Sequence, residues 1–274
     1  MKEEDIRPAR LKKISDQLFT KDAEKLLTQK TLFVNSPCPA CGQTNRKIYF
    51  VKNGYIFLLC RKCQTIYISP RPTRQLLDYY YSTAKYYKYW MKYIFPASRQ
   101  SRIRNIYRPR VQLLKENIKK YKIPTHTLVD VGAGSGDFGR EVDAQKLFDQ
   151  LILVEPGEIQ LTSTQGMKVI NTVFEKASVP NDINVITCFE TLEHLFSPFD
   201  FLKLVYARLS KNGLLMFSTV NHRGFDILLL GDKSEYLIGP DHLNIFTTDS
   251  IKILLERVGF KKVEVTTPGQ LDVD

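Results

Sequence analysis

The chain has 274 residues, a length that predicts a small module plus a catalytic domain. Hydrophobic residues make up 43% of the sequence and charged residues 25%, a balance that excludes wholesale disorder. The sequence contains no apolar run of the roughly 20 residues that a membrane-crossing helix needs, and its first residues show no apolar signal-peptide stretch. We therefore expect a cytoplasmic protein without a membrane span.

Charge is distributed unevenly along the sequence. Residues 1–124 contain 27 Lys and Arg against 8 Asp and Glu, a formal charge of +19, whereas residues 125–274 contain 13 against 21, a charge of −8. A basic half predicts an anionic partner, such as RNA, a nucleotide-sugar or another phosphorylated substrate. Two other interpretations stay open, because the basic half can also dock on the acidic half or simply be solvated.

The sequence pattern divides the chain into four segments. Residues 1–32 carry apolar residues at helical intervals, residues 33–72 are typical of a small hairpin-rich module, and residues 73–124 predict a helical linker or cap rich in Tyr, Lys and Arg. In residues 125–274, apolar strands alternate with helices, which predicts a doubly wound α/β sheet. The predicted strands are 127–132, 150–155, 168–173, 183–189, 213–220 and 261–267, and the predicted helices are 137–148, 158–166, 197–210 and 247–258.

Four of the five cysteines form two CxxC pairs, Cys38 with Cys41 and Cys60 with Cys63, separated by 18 residues. Two such turns at the tips of hairpins present four thiolates to one Zn²⁺, and this spacing is typical of four-cysteine zinc sites. Four protein ligands leave no open position for water, so the predicted role of the zinc is structural. The segment 33–72 is therefore predicted to be a zinc ribbon, with a redox pair as the alternative.

A glycine-rich turn follows the first predicted strand of the C-terminal half, in the run VDVGAGSGDFG. Gly132, Gly134 and Gly136 allow a sharp turn and a close approach to a ligand, and the next helix offers free N–H groups at its start. The run also fits the dinucleotide fingerprint GxGxxG. Asp130 favours the cationic amino-acid end of S-adenosylmethionine over a pyrophosphate, and Glu155 can accept hydrogen bonds from both ribose hydroxyls.

These motifs resemble those of the class I S-adenosylmethionine-dependent methyltransferases over about residues 125–268, which include the segments VITCFETLEHLF and HLNIFTTDSIKILLERVGF. The resemblance implies a Rossmann-like sheet in which Asp130 and the three glycines line the methionine and ribose side of the cofactor. It also places Phe174 and Glu175 beside the adenine, and Phe189 is a further candidate cofactor contact.

The segment ETLEH follows the strand predicted at 183–189, at the edge of the sheet where open α/β folds bind ligands. It resembles the ExxEH of ubiquinone-type O-methyltransferases and of plant small-RNA 2′-O-methyltransferases, in which this motif binds a divalent metal. The resemblance implies a second metal site, for an ion such as Mg²⁺ that would activate a bound hydroxyl, on four residues: Glu190, Glu193, His194 and His242.

An alternative role for these side chains needs no metal. The chain also resembles nucleotide-sugar C-methyltransferases, which join a four-cysteine zinc ribbon to the same core and in which histidines matching His194 and His242 transfer protons. Histidine titrates near neutrality and can therefore take a substrate proton. The candidate catalytic residues are His242, His194 and Glu193.

We expect methyl transfer to an oxygen or carbon atom of a small molecule, such as a nucleotide-sugar or a cell-envelope precursor. An rRNA or tRNA methyltransferase that binds RNA through the basic half is the alternative enzyme, although FETLEH stands where base-methylating enzymes have an Asn-Pro-Pro-Tyr type of tetrapeptide. A cofactor-binding module without turnover is a second alternative.

The class usually closes its sheet with an antiparallel seventh strand. After the strand predicted at 261–267, only the residues PGQLDVD remain, too few for a turn and a full strand. We therefore expect the seventh strand to be missing and the chain to be truncated at its C-terminus.

Overall fold

The computed structural model describes residues 2–157 and 166–268. Its helices are α1 (Ala9–Leu27), α2 (Arg74–Thr83), α3 (Lys85–Tyr89), α4 (Phe95–Arg102), α5 (Arg108–Tyr121), α6 (Asp137–Ala144), α7 (Pro198–Arg208), α8 (Phe225–Leu230) and α9 (Thr248–Val258). Its strands are β1 (Arg46–Lys52), β2 (Tyr55–Cys60), β3 (Ile66–Ile68), β4 (Thr127–Val131), β5 (Gln150–Val154), β6 (Met167–Ile170), β7 (Ile183–Phe189), β8 (Leu209–Ser218) and β9 (Asn244–Ile245).

Strands β4 to β8 form a parallel sheet in the order β6-β5-β4-β7-β8. The central strands are buried on both faces, which explains why they read as continuous apolar runs in the sequence. Starting from β4, the chain places β5 and β6 on one side of this strand and then β7 and β8 on its other side. The sheet therefore has its switch point between β4 and β7, where open α/β sheets bind ligands beyond the carboxyl ends of the strands.

The predicted α/β fold is confirmed, with five of the six predicted strands and with α6, α7 and α9 at three of the predicted helices. The strand predicted at 261–267 is wrong, because residues 261–268 have no regular secondary structure. Val263 and Val265 pack against the hydrophobic core, so their alternation with polar residues records burial rather than strand pairing. The helix predicted at 158–166 falls almost entirely outside the described residues, as do the residues after 268 on which the seventh strand depends.

A second, antiparallel sheet has the strand order β1-β2-β3-β9. Its first three strands come from the cysteine-rich segment, whereas β9 comes from the C-terminal half and pairs Ile245 with Ile66 and Asn244 with Tyr67. One hydrophobic cluster includes residues of both halves, such as Leu58. The two halves of the chain thus share both a sheet and a core.

Helices α2 to α5 fill most of the residues 73–124, which the sequence predicted to be helical. Helices α3, α4 and α5 run on from one another through two π-helical turns, Trp90–Ile94 and Ile103–Tyr107. Pro96 and Pro109 each stand two positions after the last residue of one of these turns. Proline lacks an N–H and its ring crowds the preceding turn, so a locally wider turn lets the helix continue past it. None of the helices in the described residues is long and apolar enough to cross a membrane.

Candidate active site

The four cysteines of the CxxC pairs meet at one point beside the β2–β3 turn. The Sγ atoms of Cys38 and Cys63 lie 3.4 Å apart, those of Cys41 and Cys60 lie 3.5 Å apart, and all four lie within 4.8 Å of one another. All four side chains are buried and free of disulfide bonds. A tetrahedral zinc ion with Zn–S bonds of roughly 2.3 Å requires S–S distances of about 3.8 Å. The cluster therefore fits the predicted zinc ion.

The glycine-rich turn lies between β4 and α6, at the switch point of the parallel sheet. Gly132, Gly134 and Gly136 all have positive φ angles, of 71°, 54° and 74°, which glycine adopts without strain. A Cβ atom at Gly132 would lie 2.5 Å from the Thr191 hydroxyl, whereas one at Gly134 would meet no described atom within 4 Å. Gly134 thus borders open space over the turn, which fits a bound ligand.

Asp130 is buried at the end of β4, next to this turn. The hydroxyl of Thr187 on β7 donates a hydrogen bond of 2.6 Å to its Oδ1. Burial raises the pKa of Asp130 to about 7, and the charge of Glu155 adds to the effect. Two buried carboxylates favour a positively charged ligand. The site therefore fits the cationic amino-acid end of S-adenosylmethionine better than the pyrophosphate of a dinucleotide.

Glu155 is buried directly after β5 and accepts three hydrogen bonds. Its Oε2 accepts from the Gly134 N–H at 2.9 Å, and its Oε1 accepts from the Gly157 N–H at 3.0 Å and from the Tyr87 hydroxyl at 3.1 Å. These donors fix the carboxylate beside the glycine-rich turn, under the cap helix α3. Its role as acceptor for the ribose hydroxyls stays a prediction.

The other three predicted cofactor contacts have partners elsewhere in the protein. Phe174 is buried and packs edge-on against Phe201, with 5.8 Å between the ring centroids. Glu175 forms an ion pair of 2.9 Å with Arg74 of α2. Phe189, at the end of β7, contacts Phe138 of α6. Their predicted places around the adenine remain predictions.

The structure brings Glu193, His194 and His242 together, with one candidate ligand atom of each within 4.8 Å of the others. Glu193 and His194 lie in a short turn after β7, and His242 lies just before β9. The ring centroids of the two histidines are 5.0 Å apart. Nδ1 of His194 donates to the Asp241 carbonyl at 2.9 Å, and Nδ1 of His242 donates to the Tyr236 carbonyl at 2.7 Å. Because a carbonyl only accepts, both Nε2 atoms are left for a ligand or a proton.

Sequence reasoning missed Asp241, which completes this cluster. Its Oδ1 lies 3.4 Å from Nδ1 of His194 and accepts a short hydrogen bond from the Tyr86 hydroxyl. The Tyr81 hydroxyl donates to the Asp241 carbonyl at 3.3 Å. The only signal in the sequence is that Asp241 precedes His242. Tyrosines of the cap segment 73–124 thus both bond Asp241 and fill the core of the cap, in which Tyr80 and Tyr86 are buried.

The pKa values of the two histidines shift in opposite directions. Burial alone lowers the pKa of His194, but the Asp241 carboxylate outweighs this and raises that pKa to about 9. Burial lowers the pKa of His242, and the positive charge of His194 lowers it further. Burial raises the pKa of Glu193 to about 7, aided by the charge of Glu190. At neutral pH, one imidazole is therefore charged and the other is neutral, a division that separates acid from base.

Glu190 is the one residue of the predicted divalent site that the described structure leaves outside this cluster. Its carboxylate accepts hydrogen bonds from Arg110 at 3.1 Å and from the Ser218 hydroxyl. Glu190 has a φ of 49°, an uncommon value for a residue with a side chain. Such strain is concentrated at functional sites. Glu190 therefore lies at the strained turn after β7, where its carboxylate binds Arg110 and Ser218 rather than the two histidines.

Several basic side chains of the cap pair with the acidic half of the chain. Arg99 bonds Asp137 at 2.8 Å and Arg108 bonds Glu141 at 3.0 Å, in addition to the Arg110 contact described above. Opposite charges thus meet where the cap lies on the sheet domain. Part of the charge asymmetry is explained by docking within the chain.

Fold and site together define an S-adenosylmethionine-dependent methyltransferase domain. A family profile described as a methyltransferase domain matches residues 98–265, more than half of the chain. The chain belongs to this family.

Two curated proteins are similar to part of the chain. A tRNA U34 carboxymethyltransferase of Pseudoalteromonas translucida is 26% identical over 148 residues, which cover 51% of this chain and 46% of that protein. A mitochondrial ubiquinone biosynthesis O-methyltransferase of Schizosaccharomyces pombe is 27% identical over 120 residues, which cover 40% of this chain and 44% of that protein. Each match therefore spans less than half of the relative's own length.

Among solved structures, a Leishmania major S-adenosylmethionine-dependent methyltransferase aligns with a TM-score of 0.50 at 19% identity, covering 65% of this chain and 73% of that one. At this identity, the likeness concerns the fold alone.

Proposed function

We propose that this chain transfers the methyl group of S-adenosylmethionine to an oxygen or carbon atom of a small anionic molecule, such as a nucleotide-sugar or a related cell-envelope precursor. The observation that carries the proposal is the pair of His194 and His242, one held charged and the other neutral, 5.0 Å apart beside the carboxyl end of β7. A hydroxyl or an acidic C–H must lose a proton when it is methylated. A histidine pair of this kind serves that need.

In the proposed reaction, bound S-adenosylmethionine would supply an electrophilic methyl group on its sulfonium and would leave as S-adenosylhomocysteine when the methyl–sulfur bond breaks. His242 is the base: with its Nδ1–H held by the Tyr236 carbonyl, its Nε2 takes the proton of the acceptor as the new bond to the methyl carbon forms. His194, kept protonated by Asp241, offers an N–H to the atom on which negative charge develops. The proton on His242 then passes to water.

Arg110 supports an anionic acceptor. Its guanidinium lies 4.5 Å from the centroid of the Phe189 ring and donates to Glu190 and to the Ser218 hydroxyl, at the ends of β7 and β8. A phosphate that enters beside these strands can replace Glu190 on the guanidinium, because arginine binds phosphate through two parallel hydrogen bonds.

A divalent ion on Glu193, His194 and His242 is a second candidate, favoured by their convergence within 4.8 Å. A metal ligand must be a neutral imidazole, so the raised pKa of His194 makes a proton compete with the metal. Turnover that stops on mild chelation, while zinc is retained, and returns with Mg²⁺ would favour the metal over the histidine pair alone.

RNA methylation is the alternative enzyme activity, and the basic half and the similarity to a tRNA-modifying enzyme support it. Phosphate contacts make RNA affinity fall steeply as the salt concentration rises. A salt titration of tRNA and rRNA-fragment binding tests this alternative. Failure to bind at low salt would remove it.

The decisive experiment measures the transfer of labelled methyl groups from S-adenosylmethionine to nucleotide-sugars, catechols and RNA. With an accepted substrate, we expect His242→Ala to lower kcat by about 10²–10⁴-fold, the usual contribution of a positioned base, and to leave cofactor affinity nearly unchanged. His222→Ala is the matched control, since His222 also donates from Nδ1 to a backbone carbonyl, that of Gln64, but lies outside the cluster of Glu193, His194 and His242. Equal turnover in both variants would contradict the proposal.

A further inference from the structure

Arg71, in the loop after β3, is fully buried and has uncharged hydrogen-bond partners. Its Nε donates to the Ile68 carbonyl at 2.9 Å, and its Nη1 donates to the Phe196 carbonyl at 2.9 Å and to Oδ1 of Asn244 at 3.0 Å. Its Nη2 reaches the Leu243 carbonyl at 3.4 Å. A buried guanidinium is costly to desolvate, and the low polarity of its surroundings lowers the pKa of Arg71 to about 10. Its contacts therefore join the end of the cysteine-rich ribbon to two loops, the turn after β7 and the segment just before β9, which together carry the two histidines of the candidate site.

Asn244 extends this network on the other side of Arg71. Its amide Nδ2 donates to the Leu195 carbonyl at 2.7 Å and lies 3.3 Å and 3.4 Å from the carbonyls of Leu192 and Glu193. The backbone N–H of Leu243 donates to the Glu193 carbonyl at 2.8 Å. The turn that carries Glu193 and His194 is therefore tied, through one fully buried side chain, to the strand that follows His242.

The same strand is the edge of the ribbon sheet. Asn244 pairs with Tyr67 across the β3–β9 ladder, and the Ile68 N–H donates to the Leu243 carbonyl at 3.0 Å. Strand β3 begins three residues after Cys63, whose Sγ lies 3.1 Å from the Thr65 hydroxyl. The cysteine cluster thus holds the turn from which β3 starts, and β3 in turn holds β9.

We propose that Arg71 and Asn244 are positioning residues that set the Glu193–His194 turn against His242, and that the metal-bound ribbon is what keeps this network in place. The ribbon then acts on the acceptor side of the site without touching the substrate. The consequence for catalysis rests on the function proposed above. The mechanical coupling between the ribbon and the two loops does not.

Amide hydrogen exchange of the full-length protein, followed by mass spectrometry, tests the coupling without an acceptor. Asn244→Ala removes the side-chain donor of the Leu195 carbonyl and the Oδ1 acceptor of Arg71. We therefore expect exchange in residues 192–196 and 241–246 to accelerate by about tenfold or more. Exchange in β4 and β5 should stay unchanged. The matched control is Asn184→Ala, since Asn184 is a buried asparagine that accepts from the Thr127 N–H away from the two loops.

Two further perturbations, a substitution of Arg71 and removal of the metal, test the coupling without the Asn244 variant. Arg71→Lys retains the charge but not the forked donors, and Arg102→Lys is its control, since Arg102 is a half-buried arginine that donates to the Ile6 carbonyl. Removal of the bound metal from the wild-type protein by a chelator should accelerate exchange in the same two loops. In all three perturbations, the affinity for S-adenosylhomocysteine should stay within about twofold, and the imidazole NMR signals of His194 and His242 should shift.

Unchanged protection of the two loops after metal removal, or equal effects of Asn244→Ala and Asn184→Ala, would overturn the proposal. Loss of methyl transfer alone would neither support nor overturn the coupling, which is judged by hydrogen exchange. If the loops are coupled to the ribbon but no acceptor is methylated, the positioning network stands and the proposed function fails.

Discussion

The ion pair between Asp241 and His194 makes a quantitative prediction about stability and pH. The pKa of His194 rises from its ordinary 6.5 to about 9, and that of Asp241 falls from 3.8 to about 2. At about 1.4 kcal/mol per pKa unit, the histidine shift corresponds to about 3 kcal/mol. Since 26% of the His194 side chain is exposed, solvent screening reduces the expected contribution to about 2 kcal/mol.

The sign of each shift defines the pH window. A raised histidine pKa gives stability that is complete below 6.5 and is lost as the pH rises through about 9. A lowered aspartate pKa gives stability that is present above 3.8 and is lost as the pH falls towards 2. Both shifts describe one interaction, so its contribution should be largest between about pH 4 and pH 6.5.

The perturbation is Asp241→Asn, which retains a side-chain oxygen for the Tyr86 hydroxyl but removes the charge. Urea unfolding at several values between about pH 6 and pH 10 should show a stability difference from wild type of about 2 kcal/mol that shrinks as the pH rises. Histidine NMR should show His194 titrating near 9 in the wild type and at a lower pH in the variant. Asp149→Asn is the control, because Asp149 pairs with His126 on the exposed surface. A stability difference that does not depend on pH, or a wild-type His194 that titrates near 6.5, would refute the reasoning.

Three other predictions concern the metal, the cofactor and the glycine-rich turn. Protein expressed with ample zinc should contain one zinc per chain by elemental analysis, and Cys60→Ser should lower both the zinc content and the thermal midpoint; a zinc-free wild type would contradict this. Glu155→Ala should weaken S-adenosylhomocysteine binding by about 10–100-fold in calorimetry, because it removes a charged hydrogen-bond acceptor, and unchanged affinity would show that Glu155 does not contact the ribose. Gly132→Ala should destabilise the fold more than Gly134→Ala in thermal unfolding, since only at Gly132 would a Cβ meet the Thr191 hydroxyl, at 2.5 Å; equal effects would show that backbone strain alone decides.

Local patterns in the sequence determined much of the fold and part of the site. The CxxC pairs predicted the cysteine cluster, because each short turn fixes its own two thiolates and only their mutual approach depends on the fold. The glycine-rich turn and Glu155 were predictable because they follow strands whose apolar runs identify them. The sequence also pointed to His194 and His242, through a resemblance rather than through any local geometry.

Tertiary structure alone decided what surrounds these residues. Asp241 faces His194 from 47 residues away, and Arg71 reaches Asn244 from 173 residues away, across the ribbon sheet. The apolar alternation at 261–267 predicted a strand that is absent, because burial on one side gives the same pattern whether or not the backbone pairs. The spacing of residues along a chain predicts the local conformation of a turn or a single strand. Which distant charges and carbonyls meet depends on how strands and loops pack, and that packing sets the pKa values on which the proposed chemistry depends.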